Sequence, residues 1–428
     1  MIHEIKIKNF LSFKDEVVFS FEATKDKSLE DYYVREEAGL RLLRLAVVYG
    51  ANASGKSNLL EVFEFLKRFC FRKTDDKRDL TSVIPFLLDK KTPNQPSELS
   101  MSFVIGGKRY LYSLVLDDYK VNSEKLFVYP KTQPALVFER TYNNNVSEII
   151  FNPKRVKIPQ IAKDEIVIKC LPNMSVFAAY NQVNISIIEM DEAIEWINKK
   201  HLSEIDPKVD LSFYAQDLIS KDSTAKDFIL NYLQRADFNI SDIDSQVKEQ
   251  KISDEVLNSI ITNNKDLPED EKNRLLKEKT IKLKNLQFEH RVINSEGKEE
   301  FYMMQKRLQS NGTLRTFGLS AAMHKLINSD SFLSIDEIES SIHPKLIAFF
   351  LEEFLKQKGK SQLLVSTHYD GLLEDVGLLR NDSVWFTQKQ ENGSTDVYSL
   401  ADFKGLSRIS SIQKAYKFGR FGAIPNIE

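Results

Sequence analysis

The sharpest chemical pattern in the chain is Gly50-Ala51-Asn52-Ala53-Ser54-Gly55-Lys56-Ser57: two glycines with four residues between them, then Lys and Ser. Small residues at these positions let successive backbone N–H groups wrap a phosphate. A helix starting near Lys56 adds the positive end of its dipole. The Lys56 ammonium can reach the β- and γ-oxygens of a nucleoside triphosphate, and the Ser57 hydroxyl can ligate Mg²⁺. Gly50, Asn52, Ser54, Gly55, Lys56, Ser57 and Asn58 are the candidate nucleotide-binding residues, with ATP and Mg²⁺ as the ligands.

Three further groups have the chemistry such a loop needs. Ser331-Phe332-Leu333-Ser334-Ile335-Asp336-Glu337 is a short apolar run ending in two carboxylates. Acids at strand ends are common. Downstream of a phosphate loop, however, Asp336 can hold Mg²⁺ through its water shell, and Glu337 can orient and deprotonate the attacking water. Thirty-one residues beyond Glu337, the run Leu363-Leu364-Val365-Ser366-Thr367 delivers His368, whose ring N–H can sense a γ-phosphate. Twenty-seven residues before Glu337 stands Gln309-Ser310-Asn311-Gly312-Thr313, ahead of a helical pattern. By itself this string is an N-cap; a hydroxyl plus free N–H groups also makes an anion site.

The elements around these groups are legible from hydrophobic spacing. Leu45 to Tyr49 is an unbroken apolar run, as a strand buried on both faces requires, and Leu59, Val62, Phe63 and Leu66 recur at helical spacing after it. Ile5 and Ile7 alternate with Lys6 and Lys8, and Val17, Phe19 and Phe21 keep the same period, so residues 1–22 read as β. Residues 99–128 read as an antiparallel meander through a Gly106-Gly107 turn. From 184 to 280 the spacing is helical, with a helix start at Asp266-Leu267-Pro268-Glu269-Asp270-Glu271. Strands return at 287–292 and 300–304. Two more, at 332–335 and 362–366, flank an amphipathic helix, which predicts a parallel sheet. The expected organisation is an α/β ATPase core in two parts, 1–183 and 281–428, with a mixed sheet, an antiparallel β lobe and a helical insertion at 184–280. Strand order should then bring Gly50, Asp336 and His368 to one sheet edge, where ligands of open α/β sheets bind.

Composition narrows the function classes. The 428 residues carry a net charge of −2, so a global basic field for nucleic acid is excluded. A basic cluster at Lys67, Arg68, Arg72, Lys73, Lys77 and Arg78 is diluted by Asp75, Asp76 and Asp79 and reads as a solvated helix end. Cys70 and Cys170 stand far apart in apolar company, as buried thiols do in a reducing compartment. With no apolar stretch of membrane length and no signal-peptide pattern, the expected location is cytoplasmic, without a membrane partner.

The order of phosphate loop, distant Ser-Asn-Gly-Thr string, acid pair and histidine is similar to the SMC, RecF and overcoming-lysogenisation-defect group of ABC ATPases. Within that group the chain resembles the compact ATPases of bacterial anti-phage and abortive-infection loci, such as the ATPase subunit of the PARIS system and AbiL-type proteins. The closer match lies in Ile5-Lys6-Ile7-Lys8-Asn9-Phe10 with Ser12 and Phe13, in Ser340-Ser341-Ile342-His343-Pro344, and in the tail Tyr416 to Pro425. The resemblance implies a P-loop fold of the ABC/SMC head type closing as a homodimer or higher homo-oligomer on ATP. Ser310, Gly312 and Thr313 would then serve in trans as the signature motif, and Ser340, Ser341 and His343 would form a loop crossing between subunits. The double glycine of transporters is replaced here by Ser-Asn-Gly-Thr. The family's lobe-interface glutamine has Gln95 and Gln182 as candidates. By the same resemblance the output is control of a separate effector, a toxin or nuclease from a neighbouring gene. A RecF-like DNA clamp is the alternative. A transporter engine and a self-contained nuclease rank behind both, with only 60 residues following His368.

Overall fold

The computed structural model describes residues 1–143, 146–263, 269–374 and 377–425. In chain order, β1 (Ile2–Lys8) and β2 (Val17–Ser20) pair antiparallel, with Ile5 and Ile7 fully buried between half-buried or exposed lysines. Next come a short hairpin, β3 (Val34–Glu37) and β4 (Leu40–Leu43), and then β5 (Leu45–Tyr49), buried at every residue. After the helix Lys56–Phe71 the meander runs β6 (Ser97–Ile105), β7 (Lys108–Leu116), β8 (Val121–Tyr129), β9 (Ala135–Asn143) and β10 (Val146–Phe151). These five join the first two strands in one antiparallel sheet, ordered β10-β9-β8-β7-β6-β1-β2. Alternating burial along β7 and β8 shows that only one face of this lobe is packed.

Contacts divide the chain into two compact units, Met1–Val209 with Lys325–Glu428, and Asp210–His324. The inserted unit therefore begins later and ends later than the 184–280 read from spacing. Helix Ile188–Ile194 and the π-helical turn Glu195–Lys200 stay with the first unit because Trp196 stacks on Phe103 of β6, ring centroids 4.6 Å apart. Nor is the insertion purely helical. It holds helices Ser212–Lys221, Ser223–Arg235, Asp254–Asn263 and Glu269–Glu278. It also holds a three-stranded antiparallel sheet of β11 (Ile240–Lys251), β12 (Thr280–Ile293) and β13 (Glu299–Gln305). Ile240, Ile243, Leu286 and Phe288 of that sheet pack with Ile229, Leu233 and Phe317 of the helices. Of the helix start read at Asp266–Glu271, residues 266–268 lie outside the described residues.

The second segment of the first unit completes the core sheet with β14 (Phe332–Ile335), β15 (Gln362–Thr367), β16 (Val384–Lys389) and β17 (Thr395–Ser399). The order is β14-β15-β5-β16-β17, parallel except for β17. Every residue of β14 and β15 is buried, which explains why their apolar residues run together without alternation. Helix Pro344–Lys356 makes the crossover between them. Ile335 pairs with Val365, and Thr367 pairs with Tyr49. That register brings the ends of β14, β15 and β5 to one edge, and with them Asp336, His368 and Gly50. Among the described residues no helix is long and apolar enough to cross a membrane.

Candidate nucleotide site

The phosphate loop leaves β5 at Gly50 and curls through two left-handed residues, Ala53 (φ 57°) and Gly55 (φ 102°), before helix Lys56–Phe71 starts. Alternating handedness of this kind turns successive N–H groups into one concavity, an anion nest. Lys56 is almost fully buried, and its Nζ donates to the carbonyls of Gly50 at 3.0 Å and Ala51 at 3.1 Å. Burial lowers its pKa, while Asp336, Glu337 and Glu339 pull the other way.

Beside the loop the acid pair is fixed by hydroxyls. Ser57 Oγ donates to Asp336 Oδ2 at 2.7 Å, and Ser366 Oγ donates to Asp336 Oδ1. The same Ser366 oxygen accepts the Glu337 N–H at 2.8 Å. Glu337 itself is held at φ 44°, uncommon for a residue with a side chain and usually kept only where the surroundings enforce it. His368 Nδ1 lies 3.5 Å from Lys56 Nζ, and its Nε2 lies 3.9 Å from Glu337 Oε1. An ammonium only donates, so Nδ1 accepts and the ring proton sits on Nε2. Burial and then Lys56 lower the His368 pKa against the nearby carboxylates, which keeps the ring neutral near pH 7. Asn52, Ala53, Ser54, Gly55, Lys56, Ser57, Asn58, Glu337 and His368 line one open recess of about 460 Å³. A larger recess of about 760 Å³ around Lys8, Lys14, Asp89 and Glu98 shares none of these residues and lacks the loop's donors. The donor set fits a magnesium nucleotide: a backbone nest and ammonium for phosphates, and a hydroxyl with a carboxylate for the cation.

Sequence reasoning missed several participants. Glu339 accepts from Thr367 Oγ1 at 2.7 Å and from the His368 N–H at 2.6 Å, which anchors the histidine turn. Glu204 lies on a segment that extends the core sheet: Ile205 N–H donates to Ser334 O at 2.9 Å, and Asp336 N–H donates to Ile205 O at 3.0 Å. Burial first, and then Asp336, Glu61, Glu64 and Asp206, push its carboxyl up to about 8. Nothing in the string Leu202-Ser203-Glu204-Ile205 marks it as a neighbour of the acid pair. Gln95 and Gln182 are not among the recess-lining residues, and Gln182 Nε2 donates to Ala178 O within its own turn.

In the inserted unit, Ser310 is exposed at the start of helix Asn311–Ser329. Its Oγ accepts the Thr313 N–H at 3.0 Å and meets Thr313 Oγ1 at 2.8 Å. The N-cap reading therefore holds, and Thr313 is turned inward and buried while Gly312 follows at the second helical position. His343 caps helix Pro344–Lys356 by accepting the Lys345 N–H at Nδ1, 3.2 Å. Ser341 beside it is exposed at φ 64°, and Ser340 N–H donates to Glu337 O at 2.8 Å, tying that loop to the acid pair.

The family described as "AAA domain, putative AbiEii toxin, Type IV TA system" matches residues 45–145 and 199–374, well over half of the chain, including the loop, the acid pair, Ser310 and His368. The chain belongs to that family. Membership makes it an AAA-type ATPase domain with the P-loop described above. Solved SMC heads are similar to it across almost its full length. The head bound to the C-winged helix domain of ScpA is 13% identical, with 97% of this chain and 99% of that one covered at TM-score 0.48. The head domain from Thermotoga maritima is 11% identical, covering 93% and 98% at 0.43. The head with an extended coiled coil bound to the C-terminal domain of ScpA, from Pyrococcus furiosus, is 14% identical, covering 98% and 98% at 0.40. A search of curated proteins returns no match.

Proposed function

We propose that the protein is an ATP-driven switch that closes as a dimer, with each nucleotide held between the phosphate loop of one copy and Ser310 of the other, and that its state governs a partner effector in anti-phage defence. The observation that carries the ATPase part is the unbroken chain Ser57–Asp336–Ser366–Glu337, which joins the phosphate loop to the acid pair across three elements. Ser57 and Asp336 are the residues that would hold Mg²⁺, and the ion would offset the charge of the phosphates. Lys56 and the loop N–H groups bind the phosphates, Glu337 accepts the proton of the attacking water, and the Nε2–H of His368 reads the γ-phosphate. Exposure of Ser310 at a helix start suits it to meet a phosphate from outside its own chain. The family's description names a toxin and a type IV toxin–antitoxin system, and this favours a toxic output governed by ATP over a RecF-like clamp.

Glu337→Gln keeps size and hydrogen bonding but cannot take a proton. We expect turnover to fall ~10²–10⁴-fold while ATP still binds. Light scattering should show the ATP-bound variant at twice the monomer mass or a multiple of it. A variant that turns over normally would remove Glu337 from the mechanism, and one that stays monomeric with ATP bound would remove the sandwich. For the output, growth should fail only when the neighbouring gene is co-expressed with intact Lys56 and Glu337. Toxicity of the chain alone would overturn the separate effector.

A further inference from the structure

The phosphate loop is gripped from behind by three hydroxyls that lie outside the segments matched to the family, Ser12, Thr387 and Thr395. Thr387 on β16 and Thr395 on β17 are both almost fully buried, as is Ser54 of the loop. Ser54 Oγ meets Thr387 Oγ1 at 2.6 Å, and Thr387 Oγ1 reaches Tyr49 O, the last carbonyl of β5, at 3.4 Å. Thr395 Oγ1 lies 2.8 Å from the Ser54 carbonyl and 2.8 Å from Ser12 Oγ, which in turn accepts from Asn58 Nδ2 at 2.8 Å. Thr395 N–H also donates to Ser12 O at 2.8 Å.

Proton counting orders this chain. A carbonyl only accepts, so the single Thr395 proton goes to Ser54 O. Ser12 must then donate to Thr395, and Asn58 to Ser12. Ser54 likewise donates to Thr387, which donates to Tyr49 O. The fit is close: a Cβ added at Gly50 or at Gly55 would approach Thr387 Oγ1 or Thr395 Oγ1 to under 3.0 Å. Both glycines of the loop are thus required by the hairpin behind it as well as by the phosphate in front.

We infer that Thr395 and Thr387 are positioning residues for nucleotide binding. In a trans peptide the C=O and the following N–H point in opposite directions. By holding Ser54 C=O outward, Thr395 turns the Gly55 N–H into the anion nest, and Thr387 fixes the start of the same curl. The β16–β17 hairpin is therefore part of the nucleotide site, although its threonines touch no phosphate. The inference rests on the nucleotide reading above.

Titration of the full chain with a fluorescent ATP analogue and Mg²⁺ tests it, with Lys56→Ala as the control for the reading itself. Thr395→Val keeps shape and removes the hydroxyl. We expect it to bind about ten-fold more weakly and to raise KM by the same factor, with kcat at saturating ATP and thermal unfolding little changed. Thr395→Ser should bind within about two-fold of the parent. Thr387→Val should reproduce the loss and serves as the readout should Thr395→Val fail to fold. Valine variants that bind as tightly as the parent would overturn the inference, as would an equal loss in Thr395→Ser, which would assign the position to packing. Failure of the parent chain itself to bind would instead sink the nucleotide reading.

Discussion

One hydroxyl, that of Ser366, holds both halves of the acid pair, donating to Asp336 and accepting from the Glu337 backbone. Ser366→Ala should leave the fold intact and lower ATP turnover roughly 10–100-fold, the range for losing a group that orients a metal ligand. Steady-state phosphate release measures it, and full activity would mean that the φ 44° turn of Glu337 is held by other contacts. Glu204 makes a prediction of opposite character. Its carboxyl, pushed up to about 8 from an ordinary 4.5, binds a proton in the folded chain where the unfolded chain has lost it. Its contribution to stability is complete below about pH 4.5 and is lost as pH rises through 8. Glu204→Gln should therefore raise Tm by a few degrees at pH 8.5 and leave it nearly unchanged at pH 4.5. A shift of equal size at both values would show that the carboxyl's charge is not what costs stability.

At the scale of elements, the antiparallel lobe carries an ion pair with both side chains fully buried, Glu124 of β8 and Arg140 of β9, 3.5 Å apart. Burial raises the Glu124 pKa, with Arg140 opposing. Tyr112, Ser175 and the Val176 N–H, at 3.0, 2.6 and 2.9 Å, satisfy the carboxylate and tie β7 and helix Val176–Tyr180 to the sheet. Arg140→Met would strand a buried charge and should cost ~3–5 kcal/mol in urea unfolding. A loss under about 1 kcal/mol would mean that Glu124 simply takes up a proton. Such elements differ in how far the sequence reveals them. β5, β14 and β15 are buried on both faces, so their apolar runs announce them, and motif order then locates Lys56, Asp336, Glu337 and His368. β11 is different: in Ile-Ser-Asp-Ile-Asp-Ser-Gln-Val-Lys-Glu-Gln-Lys, Ile240 and Ile243 break the period of two where a register shift occurs between Ile240 and Asp242. The segment reads as helical by its spacing, and the structure pairs it with β12 instead. Ser366, Glu339, Thr387 and Thr395 were invisible for another reason. They act through contacts across 28 to 383 positions of sequence, and no local pattern encodes such distances.

For the whole molecule, the proposed sharing of the site between two copies makes a complementation test. Ser310→Arg should abolish hydrolysis while sparing ATP binding at its own loop, and Lys56→Ala should abolish both at its own loop while leaving its Ser310 able to serve the other copy. Mixed in equal amounts, the two should recover up to about a quarter of parental turnover, since half of the dimers are mixed and each keeps one good site of two. No recovery with mixed dimers verified would place Ser310 and Lys56 in separate functions. A different consequence follows from the position of β5, whose two neighbours β15 and β16 both come from the last seventy residues of the chain. During synthesis the strand that launches the phosphate loop emerges about 300 residues before either partner. At ~5–20 residues per second it spends roughly 15–60 s with both of its hydrogen-bonding edges open. A chain stalled or cut anywhere short of residue 362 leaves an apolar, β-branched strand unpaired on both sides. The sheet edge that presents the phosphate loop is thus complete only once residues 362–389 have been made, and nucleotide can find a formed loop only from that point on.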